Sequence, residues 1–373
     1  MATSDNVEIR PFLIEVSQWE LDDLHERLDQ TRWPDEITGG DWGYGIPTPY
    51  VRELAAYWRR EYDWRACEAS LNAHPQFLTE IDGHDVHFIH CRSTKADALP
   101  LIAVHGWPGS IVEYAHLVDR LADDFHVVVP TLPGFGFPGP TRQTGWDYER
   151  VACAFAELMH RLGYQRYAAH GGDIGAAVAR RLAVIDREHV AAIHVTELFD
   201  AVPAGRELDL SDDSERRAGQ AAQRYSSELS GYALVQSTRP QSLAYGLTDS
   251  PVGQLAWIAE RFKDWTGSSH APEEVIDRDI ILTNVGIYWF NRTAGSSARM
   301  YKDSPWAVRY PYNAVPTSVA IFPKDIVQPV RRFAEQNNNI VRWTEFDRGG
   351  HFASLEQPEL LLTDLREALR PYQ

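Results

Sequence analysis

The sequence Gly-Gly-Asp-Ile-Gly at residues 171–175 decides the fold. An apolar run at 167–170 precedes it, and a helix-like segment at 176–185 follows it. Glycines on both sides of one central residue are typical of a tight turn from a strand into a helix. They are needed because the central residue is strained and the helix passes close to the strand. The turn therefore points the side chain of Asp173 into a cleft.

The chemistry of an aspartate at this position is specific. A carboxylate attacks amide and ester carbonyls poorly, but it can displace a leaving group from a saturated carbon and leave an enzyme ester that water must cleave. Asp173 thus predicts a nucleophile for strained or activated carbon centres. The alternative is an ordinary helix N-cap, since aspartate is common there. The arrangement of the rest of the chain favours the nucleophile.

Composition limits the possible classes of protein. The chain has 373 residues and 44% apolar residues, enough for one large α/β core with insertions. There are 36 Lys and Arg against 53 Asp and Glu, so the net charge is −17. This charge would repel phosphate backbones and anionic lipid headgroups. We therefore expect no nucleic-acid partner and no membrane partner.

Cysteine usage and the N-terminus bear on the cellular location. Cys67, Cys91 and Cys153 show no CxxC or zinc-ligand spacing, so we expect reduced, mostly buried thiols. Residues 1–6 lack the basic and apolar regions of a signal peptide, and no run approaches the roughly 18 apolar residues of a membrane span. The prediction is a cytoplasmic protein.

Short apolar runs alternate with helical segments on both sides of the glycine-rich turn. The runs predict a mostly parallel, eight-stranded sheet that begins with a hairpin at Asp82-Gly83, a dipeptide that fits primed turns. Ser110 and Glu113 have the spacing of a capping box and predict a helix start. This order of elements around the turn indicates an α/β-hydrolase fold.

Periodicity changes in the second half of the chain. Between about 196 and 316 no buried-strand pattern appears, whereas helical stretches do, for example the one that Ser250-Pro251 opens. An insertion of this length is too long for a loop and predicts a helical lid. The predicted organisation is an N-terminal helical meander at 1–76, the core at 77–196 and 317–373, and the lid at 197–316.

The other catalytic groups should follow the lid, because this fold places nucleophile, acid and histidine in that order along the chain. Asp325 lies three residues after the predicted strand that ends at Phe322, and His351 lies in the glycine-containing loop 348–352. Asp325 would orient the imidazole so that His351 can take a proton from water. Asp347 is the alternative acid.

A second glycine-rich segment, His-Gly-Trp-Pro-Gly-Ser at 105–110, follows a predicted strand. In this fold that position supplies half of an oxyanion hole. We expect the backbone N–H groups of Trp107 and Ile174 to form the hole, and both residues to line the substrate site. The pattern leaves the isomer of the Trp107-Pro108 bond open.

Along nearly its whole length the chain resembles the epoxide hydrolases of the microsomal type. Segments 28–35, 57–64 and 75–83 are similar to that family's N-terminal meander. The oxyanion, nucleophile and histidine motifs are matched by 105–110, 171–175 and 348–352. There are two departures: no N-terminal membrane anchor is seen, and Ile174 stands where the family often has tryptophan.

The resemblance implies an activity and two further site residues. Segments 230–233 and 297–302 match those that carry the family's ring-opening tyrosines, which assigns Tyr232 and Tyr301 that role. Asp325 matches the acid position. The implied reaction converts a small, neutral, largely apolar epoxide and water to a vicinal diol through an ester on Asp173. The reaction needs no organic cofactor and no metal. The resemblance leaves open whether the protein is a homodimer.

Other activities on this fold remain as alternatives. A haloalkane dehalogenase would use the same aspartate and histidine but needs side-chain N–H donors for halide, whereas two tyrosines suit an oxygen leaving group better. A biosynthetic cyclase could use the tyrosines to open an epoxide within one molecule. An esterase is disfavoured, because the turn carries Asp173 and no GxSxG motif occurs elsewhere.

Overall fold

The computed structural model describes residues 8–36, 38–203, 205–304 and 311–373. Residues 1–6, on which the expectation about a signal peptide rests, lie outside the described residues, as do 305–310 of the predicted lid. The described strands are β1 Arg10–Phe12, β2 Gln76–Ile81, β3 His84–Cys91, β4 Leu99–Val104, β5 Phe125–Pro130, β6 Tyr167–Gly171, β7 Val190–Val195, β8 Asn313–Ile321 and β9 Asn338–Glu345.

All these strands form one sheet in the order β1-β2-β3-β5-β4-β6-β7-β8-β9. The pairs β1/β2, β2/β3 and β3/β5 are antiparallel, and the remaining pairs are parallel. The sheet is therefore mostly parallel, as predicted, but the predicted number of eight strands was wrong. The ninth is β1, which is three residues long and too short to show an alternating pattern.

Helices cover both faces of the sheet and fill the chain between β7 and β8. They are α1 Gln18–Asp29, α2 Thr48–Arg60, α3 Trp64–Leu71, α4 Val112–Ala115, α5 Val118–Ala122, α6 Tyr148–Arg161, α7 Ile174–Ile185, α8 Asp213–Arg224, α9 Gly231–Thr238, α10 Pro240–Asp249, α11 Pro251–Asp264, α12 Arg278–Asn291, α13 Ala294–Asp303, α14 Arg331–Asn337, α15 Ala353–Glu356 and α16 Pro358–Leu369. One π-helical turn, Tyr225–Leu229, joins α8 to α9.

Local signals explain several of these boundaries. The predicted hairpin joins β2 to β3, and Asp82 (φ 53°) and Gly83 (φ 70°) both adopt the left-handed conformation that a primed turn requires. Ser250 caps α11 by accepting a hydrogen bond from the Gly253 N–H at 3.0 Å. Both predictions are confirmed.

A helix starts within the segment 110–113, as predicted, but the capping box predicted at Ser110 and Glu113 does not form. The helix there, α4, is four residues long and has no side-chain cap. The Glu113 side chain turns towards the 105–110 loop instead, where Oε1 accepts a hydrogen bond from the Gly106 N–H at 3.4 Å. The carboxyl of Glu113 therefore binds the 105–110 loop and not the start of the helix.

The N-terminal segment packs on the helices that follow β7. Val51, Leu54 and Trp58 of α2 are buried in the main hydrophobic core. Nearby phenols bridge to the other layer: Tyr50 Oη donates to Glu273 at 2.9 Å, and Tyr57 Oη donates to Asp279 at 2.8 Å. The N-terminal segment thus supports the helical insertion from one side.

Within the described ranges, no helix combines the length and the apolar character needed to cross a lipid bilayer. All three cysteines are free, but Cys67 and Cys91 are half-buried and Cys153 is exposed. The expectation of mostly buried thiols was therefore wrong, because Cys153 lies on the solvent face of α6.

Candidate active site

The turn between β6 and α7 has the strained geometry expected from its sequence. Asp173 lies between the two elements with φ 51° and ψ −128°, a conformation that costs a side-chain-bearing residue about 1–3 kcal/mol. A Cβ on Gly175 would lie 1.9 Å from the carbonyl oxygen of Val104 in β4. Only glycine therefore lets α7 start this close to the sheet.

The carboxyl of Asp173 is buried and held by backbone donors. Its Oδ1 accepts a hydrogen bond from the Trp107 N–H at 2.8 Å, and the Ile174 N–H also donates to the carboxyl. Burial raises the pKa of Asp173, while the charge of His351 and the two N–H groups act in the opposite direction. The Trp107-Pro108 bond, which the sequence left open, is cis.

His351 approaches Asp173 from the loop after β9. Its Nε2 lies 3.8 Å from Asp173 Oδ2, and its Nδ1 lies 2.9 Å from Asp325 Oδ1. The loop is fixed by a hydrogen bond from the His351 N–H to the Trp265 carbonyl at 2.8 Å. The rival acid, Asp347, is exposed and pairs with Arg348 instead. The structure thus brings Asp173, His351 and Asp325 together.

A third carboxyl, which sequence reasoning missed, also contacts the imidazole. Glu197 is fully buried, and its Oε1 lies 3.1 Å from His351 Nδ1. Burial alone would lower the pKa of His351, but the charges of Glu197 and Asp325 outweigh it and raise the pKa well above the usual value. The available signal was that Glu197 follows the carboxyl end of β7, the edge where sites on parallel sheets form.

Tyr232 and Tyr301 lie together over the 105–110 loop. Tyr232 lies in the first turn of α9, shortly after the π-helical turn, and Tyr301 lies near the end of α13. Their ring centroids are 5.8 Å apart, and the Trp107 ring stacks on Tyr232 at 5.0 Å with an interplanar angle of 5°. Burial raises the pKa of both phenols well above 10, so both stay neutral hydrogen-bond donors.

Two further side chains near the phenols carried no sequence motif. Tyr225, in the π-helical turn, places its hydroxyl 3.3 Å from that of Tyr232. The Trp265 ring packs 5.0 Å from Tyr232 and 4.8 Å from the His351 imidazole. With Trp107 these rings form an apolar wall beside the Asp173 carboxyl. Such a wall suits an apolar ligand with a single polar atom.

The helical insertion also holds the loop whose N–H donates to Asp173. Asn284 Nδ2 donates to the Pro108 carbonyl at 2.6 Å, and Tyr288 Oη donates to the Gly109 carbonyl at 2.7 Å. Both side chains belong to α12. The backbone of Trp107 is therefore positioned from two sides, by the sheet and by the insertion.

Two groups of described residues have side-chain atoms close enough together to ligate a metal ion. One is the cluster of Glu197, Asp325 and His351; the other is His160, near the end of α6, with Asp186 and His189, which follow α7. In the first group both acids lie against His351 Nδ1. The expectation that no metal and no cofactor is needed stays a prediction.

Two family models match the chain. The family model described as "Epoxide hydrolase N terminus" matches residues 9–114, and the model described as "alpha/beta hydrolase fold" matches residues 100–252. The α/β-hydrolase fold predicted from the sequence is thus confirmed.

Relatives and solved structures match over nearly the whole chain. A protein of Stigmatella aurantiaca (strain DW4/3-1), itself named an epoxide hydrolase by inference, is 42% identical over 97% of this chain and 85% of its own length. Epoxide hydrolase 1 of Sus scrofa is 31% identical over 98% of this chain and 89% of its own. An enantioselective mutant of the Aspergillus niger epoxide hydrolase has a TM-score of 0.89 at 29% identity, covering 99% and 98% of the two chains. The chain belongs to the epoxide hydrolase family.

Proposed function

We propose that this protein converts a small, neutral, largely apolar epoxide to a vicinal diol through a covalent ester on Asp173. One observation carries the proposal: the Asp173 carboxyl lies on the strained turn with Oδ1 bound by the Trp107 N–H, and its Oδ2 is 3.8 Å from His351 Nε2. A carboxylate in that position can attack carbon, and the resulting ester lies within reach of a general base.

In the first step the phenols of Tyr232 and Tyr301 bind the epoxide oxygen. Asp173 Oδ2 attacks a ring carbon, the carbon–oxygen bond of the ring breaks, and one phenol gives its proton to the developing alkoxide. The products of the step are a hydroxyalkyl ester and a phenolate. Neutral phenols are required, and their burial supports this protonation state.

In the second step His351 takes a proton from water, and the hydroxide attacks the ester carbonyl. The Trp107 and Ile174 N–H groups stabilise the oxyanion, as donors aimed at developing charge do. Collapse of the intermediate releases the diol and the Asp173 carboxylate, and the proton on His351 returns to the phenolate through solvent. Asp325 keeps the imidazole oriented throughout. No metal ion or organic cofactor takes part in these steps.

Two substrates separate this activity from a dehalogenase on the same fold. Styrene oxide should give phenylethanediol, whereas 1-bromobutane should release no bromide. Two buried phenols favour an oxygen leaving group, because halide release needs N–H donors beside the nucleophile. Release of bromide without diol formation would assign the protein to the dehalogenases instead.

Isotope labelling tests the covalent route. In a single turnover in ¹⁸O-water the diol should take its new oxygen from the Asp173 carboxylate and stay unlabelled, and the label should enter Asp173. Peptide mass spectrometry locates the label. A fully labelled first-turnover diol with an unlabelled enzyme would mean that water attacks the ring directly, with Asp173 acting only as a base.

The domain boundaries, quaternary structure and location are part of the same proposal. The proposed boundaries are 1–76 for the meander, 77–196 and 317–373 for the core, and 197–316 for the lid. The helices between β7 and β8 support the lid. A cytoplasmic location, a homodimer and the absence of nucleic-acid and membrane partners stay predictions. Cell fractionation and light scattering test the first two.

A further inference from the structure

Glu197 is a buried acid that the two-step mechanism does not use. It is the second residue after β7, and its Oε1 lies 3.1 Å from His351 Nδ1, while Asp325 Oδ1 lies 2.9 Å from the same nitrogen. The ligating atoms of the three side chains lie within 4.8 Å of one another. Two acids, one from the segment after β7 and one from the segment after β8, therefore converge on one imidazole nitrogen.

The second observation is that, among the described residues, the buried carboxyl of Glu197 lacks ordinary hydrogen-bond partners. Within the ranges that the structure describes, neither oxygen of Glu197 has a hydrogen bond of ordinary geometry. An isolated buried carboxylate is costly, so the group must either keep its proton or face a cation. Burial, and then the charge of Asp325, raises the pKa of Glu197 to about 8. Once Glu197 ionises, the cation that it faces is the protonated form of His351.

We propose that Glu197 is a positioning residue for His351 and shares the imidazole Nδ1–H with Asp325 as a second acid. The inference rests on the proposed function, in which His351 must present Nε2 to water. With two acceptors on Nδ1, the imidazole keeps its orientation when either acid is neutral or displaced.

Other ionisable groups face His351 and act together with this pair. They come from the turn after β6, from α4, from the segment before α9 and from α15. These groups are Asp173, Glu113, Tyr225 and Glu356. Because all of them stay in place when Glu197 is changed, a substitution at Glu197 isolates its own effect on the imidazole.

The test compares Glu197→Gln, Asp325→Asn and the double variant. A matched control is Asp364→Asn, which neutralises the acid of another buried pair, His194 Nε2 with Asp364 Oδ2 at 3.0 Å. The first measurement is the pH titration of His351 by ¹⁵N NMR, which does not depend on turnover. The second is the rate of ester hydrolysis after a single turnover with styrene oxide.

Glu197→Gln should lower the midpoint pH of the His351 titration by about one unit, because it removes a carboxylate whose charge favours the protonated imidazole. Asp364→Asn should leave that midpoint unchanged. Asp325→Asn should slow ester hydrolysis by about 10²-fold or less. The double variant should lose on the order of 10⁴-fold, as expected when a base histidine has no acid partner. The Asp325→Asn result needs no change at Glu197, so it decides the question even if Glu197→Gln fails to fold.

The proposal is wrong if the titration of His351 is the same in Glu197→Gln and the parent, or if Asp325→Asn is as slow as the double variant. A parent protein that opens no epoxide would refute the proposed function. The NMR titration would still decide the role of Glu197 in that case. The two failures are therefore distinguishable.

Discussion

His351 separates the two chemical steps, so its removal should arrest the reaction between them. His351→Gln leaves Asp173 and the two phenols in place, and alkylation can proceed, but water lacks its base. The ester should accumulate. Intact-protein mass spectrometry should show an adduct of the epoxide's mass, and peptide mapping should place it on Asp173.

The control for this experiment is Asp173→Ala, which should form no adduct and turn over no substrate while keeping the fold. An adduct on another residue, or turnover by Asp173→Ala above a few per cent of the parent, would contradict the assignment of the nucleophile.

Tyr232 and Tyr301 should share the stabilisation of the epoxide oxygen. Each single change to Phe should slow ring opening by about 10²-fold, the effect of losing one preorganised donor, and the double change should be nearly inactive. Stopped-flow tryptophan fluorescence can follow the alkylation step, since Trp107 stacks on Tyr232. A useful control is Tyr245→Phe on the exposed surface of α10, which should keep the parental rate. Ring opening at that rate in the Tyr232/Tyr301 double variant would exclude both phenols.

Residue motifs explain which side chains could be predicted. Asp173 and His351 lie next to glycines that the local backbone requires, and the structure brings the two side chains together. Asp325 and Asp347 could not be separated, because the choice depends on which loop faces the imidazole. Glu197 was missed because a single acid after a strand has no accompanying pattern.

At the scale of elements, the packing of α7 against β4 depends on a missing side chain. Gly175→Ala would place a Cβ 1.9 Å from the Val104 carbonyl oxygen, so α7 must move away from the sheet and carry Asp173 with it. We expect a loss of about 1–3 kcal/mol in the free energy of unfolding and a large loss of activity. Chemical denaturation and single-turnover kinetics measure the two effects.

Gly246→Ala in α10 is the matched control, because the added Cβ meets no atom within 4 Å. This change should stabilise the protein by up to about 1 kcal/mol, since alanine favours a helix over glycine, and it should leave activity unchanged. Equal effects of the two substitutions would mean that close packing at Gly175 does not hold the turn.

Elements with strong local signals were predictable, and those that depend on distant partners were not. The hairpin at Asp82-Gly83 and the helix after Ser250 follow from turn and cap chemistry. The strand β1 exists only because β2 offers it an edge. The capping-box pattern at Glu113 failed because the Gly106 N–H, seven residues earlier, competes for the same carboxyl.

At the scale of the whole molecule, buried histidines limit stability at acid pH. Burial lowers the pKa values of His87 and His170 to about 3 and of His90 and His105 to about 4. The unfolded chain binds protons on these residues below about pH 6.5, whereas the folded protein does not. Stability from this set is therefore present above pH 6.5 and is lost as the pH falls towards 4 and 3.

Buried glutamates limit stability on the other side. Burial raises the pKa values of Glu113 and Glu356 to about 7 and that of Glu197 to about 8. The unfolded chain releases these protons near pH 4.5, but the folded protein keeps them until pH 7 or 8. Stability from this set is fully present below pH 4.5 and is lost as the pH rises through 7 and 8. His351, whose pKa is also raised, acts in the same direction.

The two sets together predict that the free energy of unfolding is greatest near about pH 6 and falls by a few kcal/mol by pH 8, at about 1.4 kcal/mol per pH unit for each group. Urea denaturation at half-unit steps from pH 4.5 to 8.5 measures the curve. Glu197→Gln should flatten the decline between pH 7 and 8, because Glu197 has the highest pKa of the three glutamates. The exposed Glu359→Gln, with a lowered pKa, should leave that part of the curve unchanged. A parent protein whose stability rises steadily to pH 8 would show that these buried carboxyls ionise in the folded state as readily as in the unfolded chain.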